Sequence, residues 1–357
     1  MLVKVSEIQP GCILSRDITG KTNRPIFPKK TVLTGEHIEW MKAFLIKEVS
    51  VERMLISGQP FTPSGIIHEE GEIAGGTLFS EDYLNAVSAY KKLFKGWQAG
   101  AHLDVTKVRE NFIPLLHTFL ELKHEIFYLH HYSVKEDYLY HHAIASGLIC
   151  GYIGRELGYN SGDIIQAALA GCLSDCGMSK ITASIIHKQS SLTASEFEEI
   201  RKHPALGFKM VKDSSFLKDG AKLAIAQHHE RIDGSGYPGK NKGQKLHPFS
   251  KIAAVADVYH AMTSERIYRK KESPFKVLEM IKQDCFGKYD LTVLQTLMRG
   301  IERHLTGNKV KLSNGFSAEV LFVERNVPTR PLIKYDHTGE IVNLEQNRNL
   351  FIQEVLQ

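Results

Sequence analysis

Asp257 sits inside the apolar run Ile252-Ala253-Ala254-Val255-Ala256-Asp257-Val258, and this one carboxylate constrains the fold more than any other residue. The run reads as a buried helix. Burying a carboxylate without a cation is expensive, so a metal ion or a basic partner must meet it. Imidazoles are plentiful: 17 of the 357 residues are histidine, and many cluster between His141 and His260. Imidazole and carboxylate hold first-row transition metals where thiolates are absent. Hydrolysis of a phosphodiester favours two such ions about 3.5–4 Å apart, bridged by a shared carboxylate. His142, Asp175, His203, His228, His229 and Asp257 supply that donor set if the segments carrying them converge. His228 and His229, as adjacent helical positions, point about 100° apart and suit one ligand each from neighbouring directions. Taken singly, each histidine is more often a surface or core residue; the ordered set is the signal.

The charge balance, 45 basic against 40 acidic residues for a net of +5, is too mild to imply nucleic acid, and no DNA partner is expected. The start, Met1-Leu2-Val3-Lys4-Val5-Ser6-Glu7, lacks the apolar core of a signal peptide. No apolar run reaches the roughly 18 residues of a membrane span. Five scattered cysteines (Cys12, Cys150, Cys172, Cys176, Cys285) suit a reducing interior, so a cytoplasmic protein is expected. Cys172 and Cys176 read as buried small apolar residues on one helical face around Asp175, and His130-His131 as surface residues.

Residues 1–56 read as a small mixed α/β unit, with short β-prone runs at Leu2 to Val5, Cys12 to Leu14 and Val49 to Val51 and a helix over Glu36 to Ile46. Residues 57–79 have the Gly/Pro composition of a linker, and 80–136 read as connecting helices. From 137 to 305 the apolar spacing is helical. Ser195 with Glu198 predicts a capping box, and Gly158 a helix C-terminus. Residues 306–357 alternate as strands, at Lys309 to Leu312, Ala318 to Val323, Leu332 to Tyr335 and Glu340 to Leu344.

The stretch from about Asp137 to Leu297 resembles an HD-GYP domain, the bacterial HD-superfamily phosphodiesterases that hydrolyse cyclic di-GMP. The likeness rests on His142 through Gly158, on Leu192-Thr193-Ala194-Ser195-Glu196-Phe197 through His203-Pro204-Ala205-Leu206-Gly207, and on Ile252 through Arg269. Its centre is the signature His228-His229-Glu230-Arg231-Ile232-Asp233-Gly234-Ser235-Gly236-Tyr237-Pro238-Gly239. The resemblance implies a mainly α fold, an HD-superfamily helical bundle with the small N-terminal α/β domain and the β-rich C-terminal appendix attached. It implies Asp175 as the bridging, catalytic ligand, with one metal on His142, Asp175 and Asp257 and the other on Asp175, His203, His228 and His229. A His-rich, carboxylate-bridged centre favours Fe or Mn, one or two ions. Ligand contacts are expected from Arg231, from the shaped loop Gly234, Gly236, Tyr237 and Pro238, and from Arg266, Tyr268 and Arg269, which suit phosphates and a guanine.

The pattern breaks in the middle motif, where the family has His-Asp, any residue, Gly and Lys. This chain reads Ser174-Asp175-Cys176-Gly177-Met178, so one imidazole ligand and one lysine are replaced. His260 stands where the family usually has a second aspartate, and Tyr138 where some members place an acidic ligand to a third ion. His141, His187 or His260 are the residues placed to compensate. Three readings follow: a degenerate domain that binds metal and cyclic di-GMP with weak or no hydrolysis, a working phosphodiesterase releasing pGpG or GMP, and a scaffold docking GGDEF-type proteins.

Overall fold

The computed structural model describes residues 2–16, 18–19, 25–43, 46, 48–52, 55–57, 61, 74–122, 125–186, 188, 190–265, 272–284, 287–324 and 327–356. It divides into two compact units, Met1–Leu78 and Phe79–Gln357. In the first, β1 (Leu2–Lys4) pairs antiparallel with β4 (Glu48–Ser50) and β2 (Ile18–Thr19) with β3 (Pro25–Phe27), with helix α1 (Gly35–Ala43) between them in sequence. Val3, Leu14, Leu33, Met41 and Val51 close its own small core. The expected run Cys12 to Leu14 contributes only isolated bridges, Ile13 to Val32 and Leu14 to Val51. Of the expected linker, residues 58–60 and 62–73 lie outside the described residues, and its last residues already belong to helix α2 (Ala74–Gln98).

The second unit continues with α3 (Val105–Glu121), α4 (Tyr138–Glu156), α5 (Ser161–Leu173), α6 (Ala183–Ile186), α7 (Ala194–Ile200), α8 (His203–Val211), α9 (Asp219–Gln227), α10 (Pro248–Thr263), α11 (Pro274–Asp284) and α12 (Leu291–Glu302). Helix α4 is buried from Tyr140 to Gly154, which makes it central rather than amphipathic. It crosses α5 very closely: a Cβ on Gly171 would stand 2.5 Å from Cys150 Sγ and 2.7 Å from the Ser146 carbonyl. Helix α2 lays an aromatic face on this pair, with Phe94 against Tyr140 at 5.5 Å between ring centres, and Lys91 bonds Asp137 at 2.6 Å. Gly158, at φ +78°, ends α4 as expected.

The five strands β5 (Lys309–Leu312), β6 (Ser317–Phe322), β7 (Leu332–Tyr335), β8 (Ile341–Asn343) and β9 (Ile352–Val355) form one antiparallel sheet in the order β8-β7-β6-β5-β9. β9 had no alternating signal and is fixed by pairing along β5. The sheet's inner face, Val310, Leu312, Ala318, Val320 and Ile333, joins the same buried core as the helices. The connecting helices, the central bundle and the β-rich end therefore share one core, and the expected boundaries at 136 and 305 do not divide it. Among the described residues, no helix is long and apolar enough to cross a membrane.

The capping box lies two residues earlier than the sequence suggests. Thr193 accepts from the Glu196 N–H and Glu196 returns a bond to the Thr193 N–H, so Ser195 is inside α7, not at its cap. Thr193→Ala should cost about 1 kcal/mol of stability. Ser195→Ala, by contrast, should be close to neutral, and urea denaturation of the two variants separates them.

Candidate metal centre

Asp175 is held at the turn that follows α5, by contacts that leave little freedom. The next residues, Cys176–Lys180, form a short 3₁₀ turn laid directly on α8. A Cβ on Gly177 would fall 2.1 Å from the His203 carbonyl oxygen and 2.4 Å from the Gly207 amide nitrogen, so only glycine lets the turn approach the helix that carries His203. His228 and His229 follow the last residue of α9, and Asp257 is in α10.

These elements bring all six expected donors together. Asp175 Oδ1 is 3.1 Å from His203 Nε2 and 3.6 Å from His228 Nε2, and its Oδ2 is 3.7 Å from His142 Nε2. Asp257 Oδ1 is 3.0 Å from His142 Nε2, and its Oδ2 is 3.5 Å from His229 Nδ1. The ligand atoms of Asp175, His203, His228 and His229 all lie within 4.8 Å of one another. Burial works against ionising Asp175, yet hydrogen bonds to His203 and His228, with the charge of His142 nearby, hold its carboxyl well below the usual range. Asp257 is likewise held down against its burial, by His229 and His142. His229 is pushed well below the ordinary imidazole value by burial and by His228.

The donor chemistry of the four-residue group fits a first-row transition ion. His203 Nδ1 faces the Ile200 carbonyl at 2.7 Å, and His228 Nδ1 faces the Ile225 carbonyl at 2.9 Å. A carbonyl can only accept, so each Nδ1 carries a proton, and Nε2, the nitrogen turned toward Asp175, is the one left to meet an ion. The two Nε2 atoms are 3.0 Å apart.

The replaced positions add nothing to this set. Ser174 is buried and its hydroxyl donates to the Ala170 carbonyl at 2.7 Å. Met178 packs, half-buried, against the core. Lys180, two residues on, donates to the Trp97 carbonyl at 2.5 Å. His141 turns to the Tyr83 hydroxyl at 3.4 Å, and burial lowers its pKa to about 4. His187 lies outside the described residues, as do Arg266, Tyr268 and Arg269.

The signature loop forms the lip of the centre. Tyr237 lies over His229, 4.8 Å between rings, and its amide donates to the His229 carbonyl. A Cβ on Gly236 would strike the backbone of residues 229–231 at 2.4–2.5 Å, so its bareness serves the loop's own packing. Pro238 is exposed and follows a cis peptide bond, and Gly234 takes φ +80°. Arg231, expected to contact ligand, donates instead to the His228 and Glu230 carbonyls and lies over the Tyr289 ring at 4.6 Å. It braces the loop because those carbonyls, left at the end of α9, need a donor. Two residues were missed. Buried Glu230 accepts from the amides of Gly239 at 2.6 Å and Asn241 at 3.1 Å, tying the loop down. Arg201 lies over Tyr237 at 4.7 Å, one ring away from His229. Its nearness in sequence to His203, an expected metal ligand, was the available signal. His130, expected at the surface, is buried beneath the sheet-bearing half of the unit, and His131 reaches Glu354 of β9 at 3.4 Å.

The tight seat of Gly177 makes a sharp expectation. Gly177→Ala should cost about 1–3 kcal/mol in chemical denaturation, as overpacked sites do, and should weaken metal retention measured by elemental analysis.

The family model described as HD domain matches residues 129–293. The chain is 26% identical over 236 residues to the cyclic di-GMP phosphodiesterase PA4108 of Pseudomonas aeruginosa, covering 66% of this chain and 57% of that protein. It is 30% identical to a cyclic di-GMP phosphodiesterase of Thermotoga maritima, covering 64% of this chain and 59% of that one. Against the 3'3'-cGAMP-specific phosphodiesterase 1 of Vibrio cholerae the identity is 29%, over 48% of this chain and 40% of that one. The chain thus spans less than two thirds of the length of these relatives. Residues 129–293 thus match an HD domain, and its donors gather beside the loop His228 to Pro238, in keeping with the likeness to HD-GYP proteins.

Proposed function

We propose that this chain binds a divalent transition ion and a cyclic dinucleotide, cyclic di-GMP or a close relative, and turns it over weakly or not at all. One observation carries the reading: Asp175 keeps its partners His203, His228 and His229, while neither Ser174 nor Met178 offers the centre a ligand or a cation. Asp175, His203, His228 and His229 would hold the ion, Fe or Mn by donor type. When bound, it supplies Lewis-acid polarisation of a phosphoryl oxygen. The lip residues suit the rest of such a ligand. Arg201, over the Tyr237 ring, offers a guanidinium for a phosphate. Arg266, Tyr268 and Arg269 complete the proposed contact set.

The weakness in turnover has a magnitude. A lysine beside the reacting phosphoryl would stabilise the charge that builds there, and a thioether does not. Loss of one such donor typically costs about 2.7–4 kcal/mol of transition-state stabilisation, a rate loss of about 10²–10³.

Calorimetry with Mn(II) present should show cyclic di-GMP binding, and chromatography of the same mixture should show little pGpG or GMP. Rapid metal-dependent turnover, abolished in Asp175→Ala, would instead establish the working phosphodiesterase. Metal binding without nucleotide binding leaves the scaffold that docks GGDEF-type proteins. Ser174→His with Met178→Lys should raise turnover if those two positions are the lesion. Chelation should also lower stability, by about 2.7 kcal/mol if the ion had been present at a hundred times its Kd. A thermal melt with and without chelator checks this.

A further inference from the structure

We infer that the centre of this chain holds one ion, not two, and that a hydrogen-bonded cluster of His142, Asp257 and His260 fills the second position. The inference rests on the metal-binding reading above and concerns only the flank of Asp175 that faces His142.

The two flanks are built differently. On the side of His203 and His228, main-chain carbonyls fix a proton on Nδ1, so Nε2 is the nitrogen available to an ion, as a ligand requires. His142 has no such carbonyl on its Nδ1. That atom is 2.9 Å from His260 Nδ1 and 3.1 Å from the Tyr138 hydroxyl, both of which can donate. Its Nε2 is 3.0 Å from Asp257 Oδ1, which when ionised can only accept. One assignment accounts for the contacts to Asp257, His260 and Ser264 together. His142 Nε2–H donates to Asp257, His260 Nδ1–H donates to His142 Nδ1, and the Ser264 hydroxyl, 3.1 Å away, donates to His260 Nε2. This is the opposite tautomer from His203 and His228. It leaves His142 no lone pair for a metal.

The reverse tautomer sets a bare Nε2 against a carboxylate unless an ion stands between them. Such an ion would have only His142, Asp175 and Asp257 from the expected set, because Ser174, its hydroxyl turned to the Ala170 carbonyl, brings no imidazole. An aspartate at position 260 would force the ligating tautomer, since it can only accept from Nδ1–H. A buried histidine, 1% exposed, imposes no such choice and can donate. Ser174 and His260 therefore act on the same ion: one removes a ligand, and the other removes the acceptor that keeps His142 a ligand.

The test counts ions and reads their surroundings without reference to turnover. The full chain is loaded with Mn(II), desalted, and examined by mass-spectrometric metal analysis and by electron paramagnetic resonance. One ion per chain, with the resolved hyperfine pattern of an isolated Mn(II), is expected. His203→Ala should empty the site, and His142→Gln should leave the count at one. Two ions per chain with a spin-coupled spectrum overturn this inference and leave the metal-binding reading standing. Loss of the ion in His142→Gln also overturns it. No ion in the wild-type chain overturns both. The paired change Ser174→His with His260→Asp should raise the count to two. A count that stays at one in a variant with a normal thermal melt would show that these two positions do not close the second site.

Discussion

A carboxylate buried among imidazoles is the interaction on which the rest of the second unit depends. Asp175 is turned inward at the end of α5 and is met by His142 from α4, His203 from α8 and His228 from the end of α9. Its ionised form survives burial only because these partners surround it. Four separate segments must therefore meet within a few ångströms of one oxygen pair. The close α4–α5 crossing at Gly171 and the seat of Gly177 on α8 are what let them do so. Packing here serves electrostatics: remove the small residues and the donors separate.

The loop after His229 extends the same logic to the rim. Its shape is set from beneath by Glu230 and Arg231, one accepting loop amides and the other donating to loop carbonyls. Tyr237 is thereby pressed onto His229 with Arg201 over its outer face. The lip is thus tied by hydrogen bonds and ring contacts where it meets the donors.

How much of this was legible in the sequence follows from range. The six donors and the loop were visible because their chemistry is unusual residue by residue: an aspartate in an apolar run and two adjacent histidines before a glycine-rich turn. The α-rich middle and most strands of the C-terminal sheet were visible through local periodicity. What escaped was decided by distant partners. β9 is a strand because β5 is beside it. His130 is buried and lines a cavity with Ser313 and Phe351, far along the chain. Arg231 faces backbone because α9 ends with carbonyls in need of a donor. The cap of α7 shows the limit of local rules as well, since Thr193 and Ser195 each stand three residues before a glutamate and only geometry chooses between them.

The departures at Ser174, Met178 and His260 are not scattered. The retained imidazoles His203, His228 and His229 gather on one side of Asp175, together with the lip that would cover a ligand. Of the changed residues, His260 bears on the side of His142, while Ser174 turns its hydroxyl back to the Ala170 carbonyl. Holding an ion and a phosphate needs charge and shape that persist in the ground state, and the retained side supplies both. Cleavage needs in addition groups whose contribution grows as charge builds on the phosphoryl oxygens. Of these, the lysine of the middle motif is Met178 here, so under the proposed reading binding and turnover are separable in this centre by chemistry.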